Sequence, residues 1–152
     1  MSTVTVSPDV LQLVTFKLAG EEYAIDILKV QEINRMVEIT SVPNAPHYVE
    51  GVINLRGKVI PVINLRKKFG LVVKEVDVQS RIMVVDVGKI IGLIVDSVCE
   101  VLRLRVDTVE TPPAITGNGS SDYIRGIGKL ENRLLILLDL DKLFGNKGVS
   151  NF

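Results

Sequence analysis

The chain has 152 residues, of which 47% are hydrophobic and 24% charged, with 18 Lys and Arg against 18 Asp and Glu. That length and composition hold one globular domain, or two very small ones, around a real core. The zero net charge excludes the basic excess on which electrostatic nucleic-acid binders rely.

Residues 1–10 read as a loose tail, and Met1–Asp9 carries neither the basic segment nor the apolar run of a signal peptide. Val14, Phe16 and Leu18 alternate with Thr15 and Lys17, which predicts a strand with one wet face. Gly20-Glu21-Glu22 is a turn, Tyr23–Ile25 begins a return strand, and Asp26 caps a single turn over Ile27-Leu28. Lys29–Met36 fits a helical or an extended spacing. Its β surroundings favour a strand, with Val30, Glu32 and Asn34 on one face. Ser41–His47 contains Pro43 and Pro46 and is a loop, and Tyr48–Glu50 is expected as one helical turn.

The stretch Gly51–Gly70 reads as a hairpin and a short helix. Arg56-Gly57 forms its turn, where Gly57 supplies the positive φ that tight hairpins need. Pro61 lacks a backbone donor, which predicts a sheet edge or a bulge for the second arm. Asn64 caps the helix Leu65–Phe69, and Gly70 ends it. Leu71–Ser80 has no apolar face at either period and reads as a seam. Arg81–Val87 and Ile90–Val95 form a second hairpin around Gly88-Lys89, and Asp96-Ser97-Val98 echoes Asp26-Ile27-Leu28. Val101, Leu102 and Leu104 belong to a further strand, and the Pro- and Gly-bearing Thr111–Asp122 is a long loop. Gly126–Gly145 then repeats Gly51–Gly70 at an offset of 75 without a gap, with turn, cap and terminal glycine in register.

The chain therefore divides into pseudo-repeated halves of about 11–70 and 81–145, within one unit of 11–145 and with a C-terminal tail of 146–152. Runs such as Ile82–Val85 and Leu134–Leu138 are apolar throughout, so their strands are expected to be covered on both faces. The predicted fold is all-β with short helices: two small five- or six-stranded barrels with a third core between them. Strand exchange between the barrels is left open.

No catalytic template is complete. His47 is the only histidine and has no nucleophile-elbow serine near it; its ordinary reading is a surface or packed residue. Cys99 is the only cysteine, which excludes an internal disulfide and suits a reducing cytosol. It is expected as a buried, inert thiol. Asp139 and Asp141 are spaced like a metal pair, but Asp139 is better explained as a helix cap. Neither Gly117-Asn118-Gly119 nor Gly126-Ile127-Gly128 completes a phosphate-binding fingerprint, and only 5% of residues are aromatic. No catalytic residue, metal site or cofactor is assigned, and a protein-binding role is expected. The longest apolar runs are five or six residues, far below the roughly 18 of a membrane span, so the expected place is the cytoplasm.

Two longer stretches carry a family resemblance. Gly20–Ile33, GEEYAIDILKVQEI, resembles the opening motif of the CheW family of bacterial chemotaxis coupling proteins. Val49–Phe69, VEGVINLRGKVIPVINLRKKF, resembles that family's most recognisable block, and the likeness runs from about Leu11 to Phe144. It implies two SH3-like five-stranded barrels and an adaptor role. Such proteins bind the cytoplasmic tips of methyl-accepting chemoreceptors and the regulatory domain of the histidine kinase CheA. They reach membranes only through receptors, do not bind nucleic acid, and are mostly monomeric when free. Carried over by motif, the implied receptor-binding residues are Val30, Glu32, Arg56 and Gly57, although Glu32 and Arg56 also suit a plain salt bridge. The implied kinase-binding candidates are Val87, Gly88 and Lys89, with Ile115 in the least alignable loop. Met1 and its short tail fit a stand-alone adaptor rather than a domain of a kinase or a receiver fusion. Two alternatives remain open: an adaptor of a pilus-type array, and a ligand-binding or hydrolytic barrel dependent on His47 or Cys99.

Overall fold

The computed structural model describes residues 9–111 and 123–145. Its strands are β1 (Val10–Leu18), β2 (Glu21–Asp26), β3 (Val30–Arg35), β4 (Val49–Leu55), β5 (Lys58–Asn64), β6 (Arg81–Asp86), β7 (Ile90–Val95), β8 (Ser97–Arg105), β9 (Val109–Glu110), β10 (Ile124–Leu130) and β11 (Arg133–Leu138). Helix α1 is the single turn Leu65–Lys68; 3-10 turns fill Ile27–Lys29 and Val106–Thr108, and a π-type turn ends the description at Asp141–Gly145.

One sheet has five strands in the order β3-β6-β7-β5-β4, and the other has six in the order β8-β1-β2-β11-β10-β9. The sixth strand is the two-residue β9, so the second barrel has one short strand more than the five the resemblance implied. The sheets cut across the sequence halves. β1 and β2 join the C-terminal β8–β11, while β6 and β7 join β3–β5. Each sheet contains one parallel pair, β5 with β7 and β11 with β2, made between strands that the chain brings from afar.

Three apolar clusters follow from this arrangement. Ile53, Ile60, Val62, Ile82, Val84 and Ile94 fill the first barrel, and Leu13, Ala24, Leu104, Leu135 and Leu137 fill the second. Between them lies a larger cluster that takes Val14, Phe16 and Ile25 from one sheet and Ile63, Met83, Val85 and Leu93 from the other. This explains the uninterrupted apolar runs, because Ile82–Val85 alternates between two dry cores.

The same geometry corrects β1. Its predicted wet face fails at Thr15, which is fully buried, because Leu13 through Phe16 sit between the second barrel's core and the shared one. The Thr15 hydroxyl is satisfied there, donating to Glu100 O at 3.3 Å and accepting from Glu100 N at 3.2 Å. The run Leu134–Leu138 is dry only in part: Leu134 is 60% exposed at the start of β11, before the strand enters the core.

The two hairpins superpose in their details. In β4–β5 the register slips between Val49 and Gly51, and in β10–β11 between Ile124 and Gly126, at the same offset of 75. Asn64 N donates to Tyr48 O and Asp139 N to Tyr123 O, each at 2.8 Å. Both cap residues work as expected: Asn64 Oδ1 accepts from Lys67 N and Asp139 Oδ1 from Lys142 N. Tyr48–Glu50 is not helical; the second half of that segment already belongs to β4.

Pro61 departs from its expected edge position. β5 is an interior strand, between β7 and β4. The backbone N and O of its partner Val52 both face Thr40, so Val52–Pro61 is a non-hydrogen-bonded pair and the Pro61 nitrogen points towards β7. The β5–β7 ladder begins one residue later, at Val62, so no ladder bond is lost.

Candidate protein-binding site

The five-stranded sheet closes where its two outer strands, β3 and β4, approach each other. The residues after β3 make a bridge to β4 through Thr40 and Val52. At the other end of this seam the Arg56 guanidinium donates to the Glu32 carboxylate, forming an ion pair. The turn that carries Arg56 is built from two positive-φ residues, Arg56 at 51° and Gly57 at 86°, the geometry of a tight two-residue hairpin turn. Asn54 Oδ1 accepts from Gly57 N at 3.0 Å and fixes the turn further. The pair is asymmetric in exposure: the Arg56 side chain is 71% exposed and that of Glu32 24%. Glu32 thus orients an arginine that remains open to solvent. An ion pair this exposed contributes less than about 1 kcal/mol to stability.

Val30 lies two residues from Glu32 on β3, half-buried like Glu32 and Asn34, while Gln31, Ile33 and Arg35 face out. A register shift at Gln31 interrupts the pairing of this outer strand with β6, and such a bulge in an outer strand discourages edge-to-edge association. Beside Val30 the 3-10 turn displays Leu28, a residue 83% exposed. The sequence pattern passed over Leu28. The signal was the Asp26 cap, whose carboxylate accepts from Leu28 N at 2.9 Å and holds the turn so that Leu28 points outwards.

The hairpin turn Val87-Gly88-Lys89 is divided by burial. Val87 is buried in the shared core, and its amide is bound to Lys89 O at 2.9 Å, so its side chain has no surface to offer. Gly88 and Lys89 form the accessible part of that turn. Val30 pairs with Val85 across β3–β6, which places this turn near the Val30 end of β3. Ile115 lies outside the described residues.

His47 is exposed and packs edge-on against Tyr48 at 5.7 Å. Cys99 corrects its expectation: it is exposed, being the extra residue where β8 slips against Thr15–Phe16. Partial burial and the nearby Glu22 raise its thiol pKa, which leaves less thiolate at neutral pH than an ordinary cysteine has. The folded protein is therefore expected to take up one equivalent of maleimide without denaturant, but more slowly than a free thiol at the same pH. Labelling that requires unfolding would contradict the exposure. Among the described residues no cluster of histidine, cysteine and carboxylates is arranged to hold a metal ion, and no helix is long and apolar enough to cross a membrane.

A second charged centre joins the barrels and was missed by sequence. Asp96, after β7, accepts from Arg66 Nε at 2.9 Å and Arg66 Nη2 at 2.7 Å, and also from Ala19 N at 2.8 Å. Asp96 N donates to Lys17 O, and Arg66 Nη1 donates to Val72 O at 2.6 Å. The echo of Asp26 misled here, because Asp96 caps no turn; it ties α1 to the β1–β2 turn of the other barrel. Both side chains are largely buried. The Arg66 hydrogen bonds hold the Asp96 carboxyl below its usual pKa, and the same bonds raise that of Arg66. Nearby, the rings of Phe16, Tyr23, Phe69 and Tyr123 stack in succession across the junction, 5.2–5.8 Å apart.

Two small barrels with exchanged strands, fused through a common core, define an SH3-like double-barrel protein. The chain belongs to the CheW-like domain family, whose model matches residues 12–147. It is 37% identical to the chemotaxis protein CheW of Klebsiella aerogenes over 90% of this chain and 82% of that one. It is also 37% identical to CheW of Treponema pallidum, over 95% and 88%. The crystal structure of the scaffolding protein TtCheW from Thermoanaerobacter tengcongensis is similar with a TM-score of 0.83 and 39% identity, covering 93% of this chain and 97% of that chain.

Proposed function

We propose that the protein is a non-enzymatic adaptor that couples methyl-accepting chemoreceptors to the histidine kinase CheA, on the cytoplasmic side of the membrane. The observation that carries this reading is the Arg56–Glu32 pair. A CheW-like chain presents, at the seam of one barrel, an arginine held in place by a half-buried carboxylate and left open to solvent. Val30, Glu32, Arg56 and Gly57 form the receptor-binding surface, with Leu28 flanking it. Gly88 and Lys89 belong to the kinase-facing side, at the end of the β6–β7 hairpin that lies near the Val30 end of β3. Support for an adaptor also comes from the relatives, which are chemotaxis and scaffolding proteins.

The test is co-sedimentation with receptor-containing membranes and CheA, together with receptor-dependent kinase autophosphorylation. The wild-type protein is expected to join the ternary complex and to raise autophosphorylation, with no turnover alone. Arg56→Asp is expected to weaken receptor binding about tenfold or more, roughly 1.4 kcal/mol. Kinase binding and the melting temperature should hardly change, because the ion pair is exposed. Equal loss of both partners would return Arg56 to a structural role. Failure of the wild-type protein to enter the complex would end the adaptor reading.

A further inference from the structure

The two pseudo-equivalent hairpins leave a recess beside each helix cap, and the two recesses differ in chemistry. In the six-stranded barrel the recess is lined by Asp26, Lys29, Arg125, Asp139 and Asp141, with Leu138 and Leu140 between the carboxylates. In the five-stranded barrel, where Glu50 and Asn64 stand at the positions of Arg125 and Asp139, the recess is a groove of about 430 Å³ in which apolar side chains face each other beside the polar Glu50, Asn64, Lys67, Lys74 and Glu75. Met36, Val37 and Ile39 form one wall, and Val73 and Val76 form the other.

The second wall belongs to the segment Leu71–Ser80, which joins α1 to β6 and has no regular structure. Four of its residues are exposed valines, from Val76 at 51% to Val78 at 89%. Its polar tethers lie at its ends. Leu71 N donates to Arg66 O and Arg66 Nη1 to Val72 O at the start. At the far end Ser80 N donates to Asp77 O, and Arg81 Nη1 to Val78 O. Lys74 pairs within the segment with Asp77, and its charge also acts on Asp96. Among the described residues, Val73, Glu75 and Val76 make no hydrogen bond to the rest of the protein. A stretch with fixed ends, a free middle and apolar side chains beside an apolar wall can move at little polar cost, and closing it would remove apolar surface from water.

We infer that Leu71–Ser80 is a strap that closes on the groove, seating Val73 and Val76 against Met36, Val37 and Ile39. The occupant of the groove is thus this chain's own segment. Closure would brace the connection that leaves β3, the strand bearing Val30 and Glu32.

Two measurements test the strap. In a Cys99→Ser background, Val37→Cys with Val76→Cys is expected to form a disulfide under mild oxidation at least tenfold faster than Val37→Cys with Val78→Cys. Equal or slower linking overturns the strap. The chain has no tryptophan, so Met36→Trp gives a single reporter in the groove wall. Its quenching by iodide should rise at least twofold when Val73 and Val76 are both changed to Ser. Quenching indifferent to those valines overturns the strap. So does a tryptophan that is shielded only when receptor membranes or CheA are added, which would assign the groove to a partner.

Discussion

Gly51→Ala is expected to destabilise the protein by about 3 kcal/mol or more, or to prevent folding. Gly51 has φ +151°, a conformation that costs a residue with a side chain roughly 1–3 kcal/mol. A Cβ at this position would also lie 2.1 Å from Thr40 O and 2.7 Å from Thr40 C, both backbone atoms of the segment that closes the seam. Backbone cannot rotate away, so the Thr40–Val52 bridge must open. Gly57 is the control. It too has a positive φ, but nothing lies within 4 Å of its added Cβ. Gly57→Ala should therefore cost only the conformational term, about 1–2 kcal/mol. Urea unfolding of both variants decides the matter, and equal losses would show that Thr40 exerts no close-contact penalty.

Asp96→Ala is expected to cost about 3–5 kcal/mol, the usual range when one partner of a largely buried ion pair is removed. It would leave Arg66 without its carboxylate and Ala19 N without its acceptor. Replacing the exposed pair partner instead, Asp141→Ala opposite Lys29, should cost less than about 1 kcal/mol. Asp96 also gives the protein an acid dependence. Its folded-state pKa is lowered from 3.8 by the Arg66 hydrogen bonds. The stabilisation is thus fully present above the unfolded value and is lost as pH falls through the lower folded value. Acid titration of Asp96→Asn should accordingly show a shallower loss of stability below about pH 4 than the wild type. Parallel curves would remove Asp96 from the acid response.

Much of this was legible before the fold. The hairpins, their glycine turns and both helix caps depend on contacts within a few residues, and local sequence states such contacts directly. At the offset of 75 the register slips before Gly51 and Gly126 coincide. Dry strands were legible as a class, but not their limits: Thr15 and Lys17 look alike in a pattern, and only the shared core shows that Thr15 is enclosed. Position in a sheet was not legible. Pro61 suggested an edge because a proline cannot donate, yet an interior strand accepts it where the neighbouring ladder has not begun. Asp96 was misread for a similar reason. Its local echo of Asp26 is real, but its partners Ala19 and Arg66 are 77 and 30 residues away. At the proposed binding surface, Glu32 and Arg56 came from family motifs, and their direct pairing required the seam between the outer strands.

The exchange of strands between the sheets also has a temporal meaning. Val14 pairs with Val101, and Tyr23 with Ile136, so β1 and β2 wait for strands made much later in synthesis. β3 through β7 are contiguous in the chain and can complete their sheet while synthesis continues, but β1 and β2 must be kept out of wrong pairings until β8 and β11 emerge. Native contacts between residues so far apart slow folding. An amino-terminal fragment ending near Val95 would contain a whole sheet and an orphaned hairpin, with Phe16 and Ile25 still covering the shared core and Leu13 and Ala24 left without theirs. The nascent hairpin gains its antiparallel neighbour when β8 emerges and its parallel neighbour only with β11.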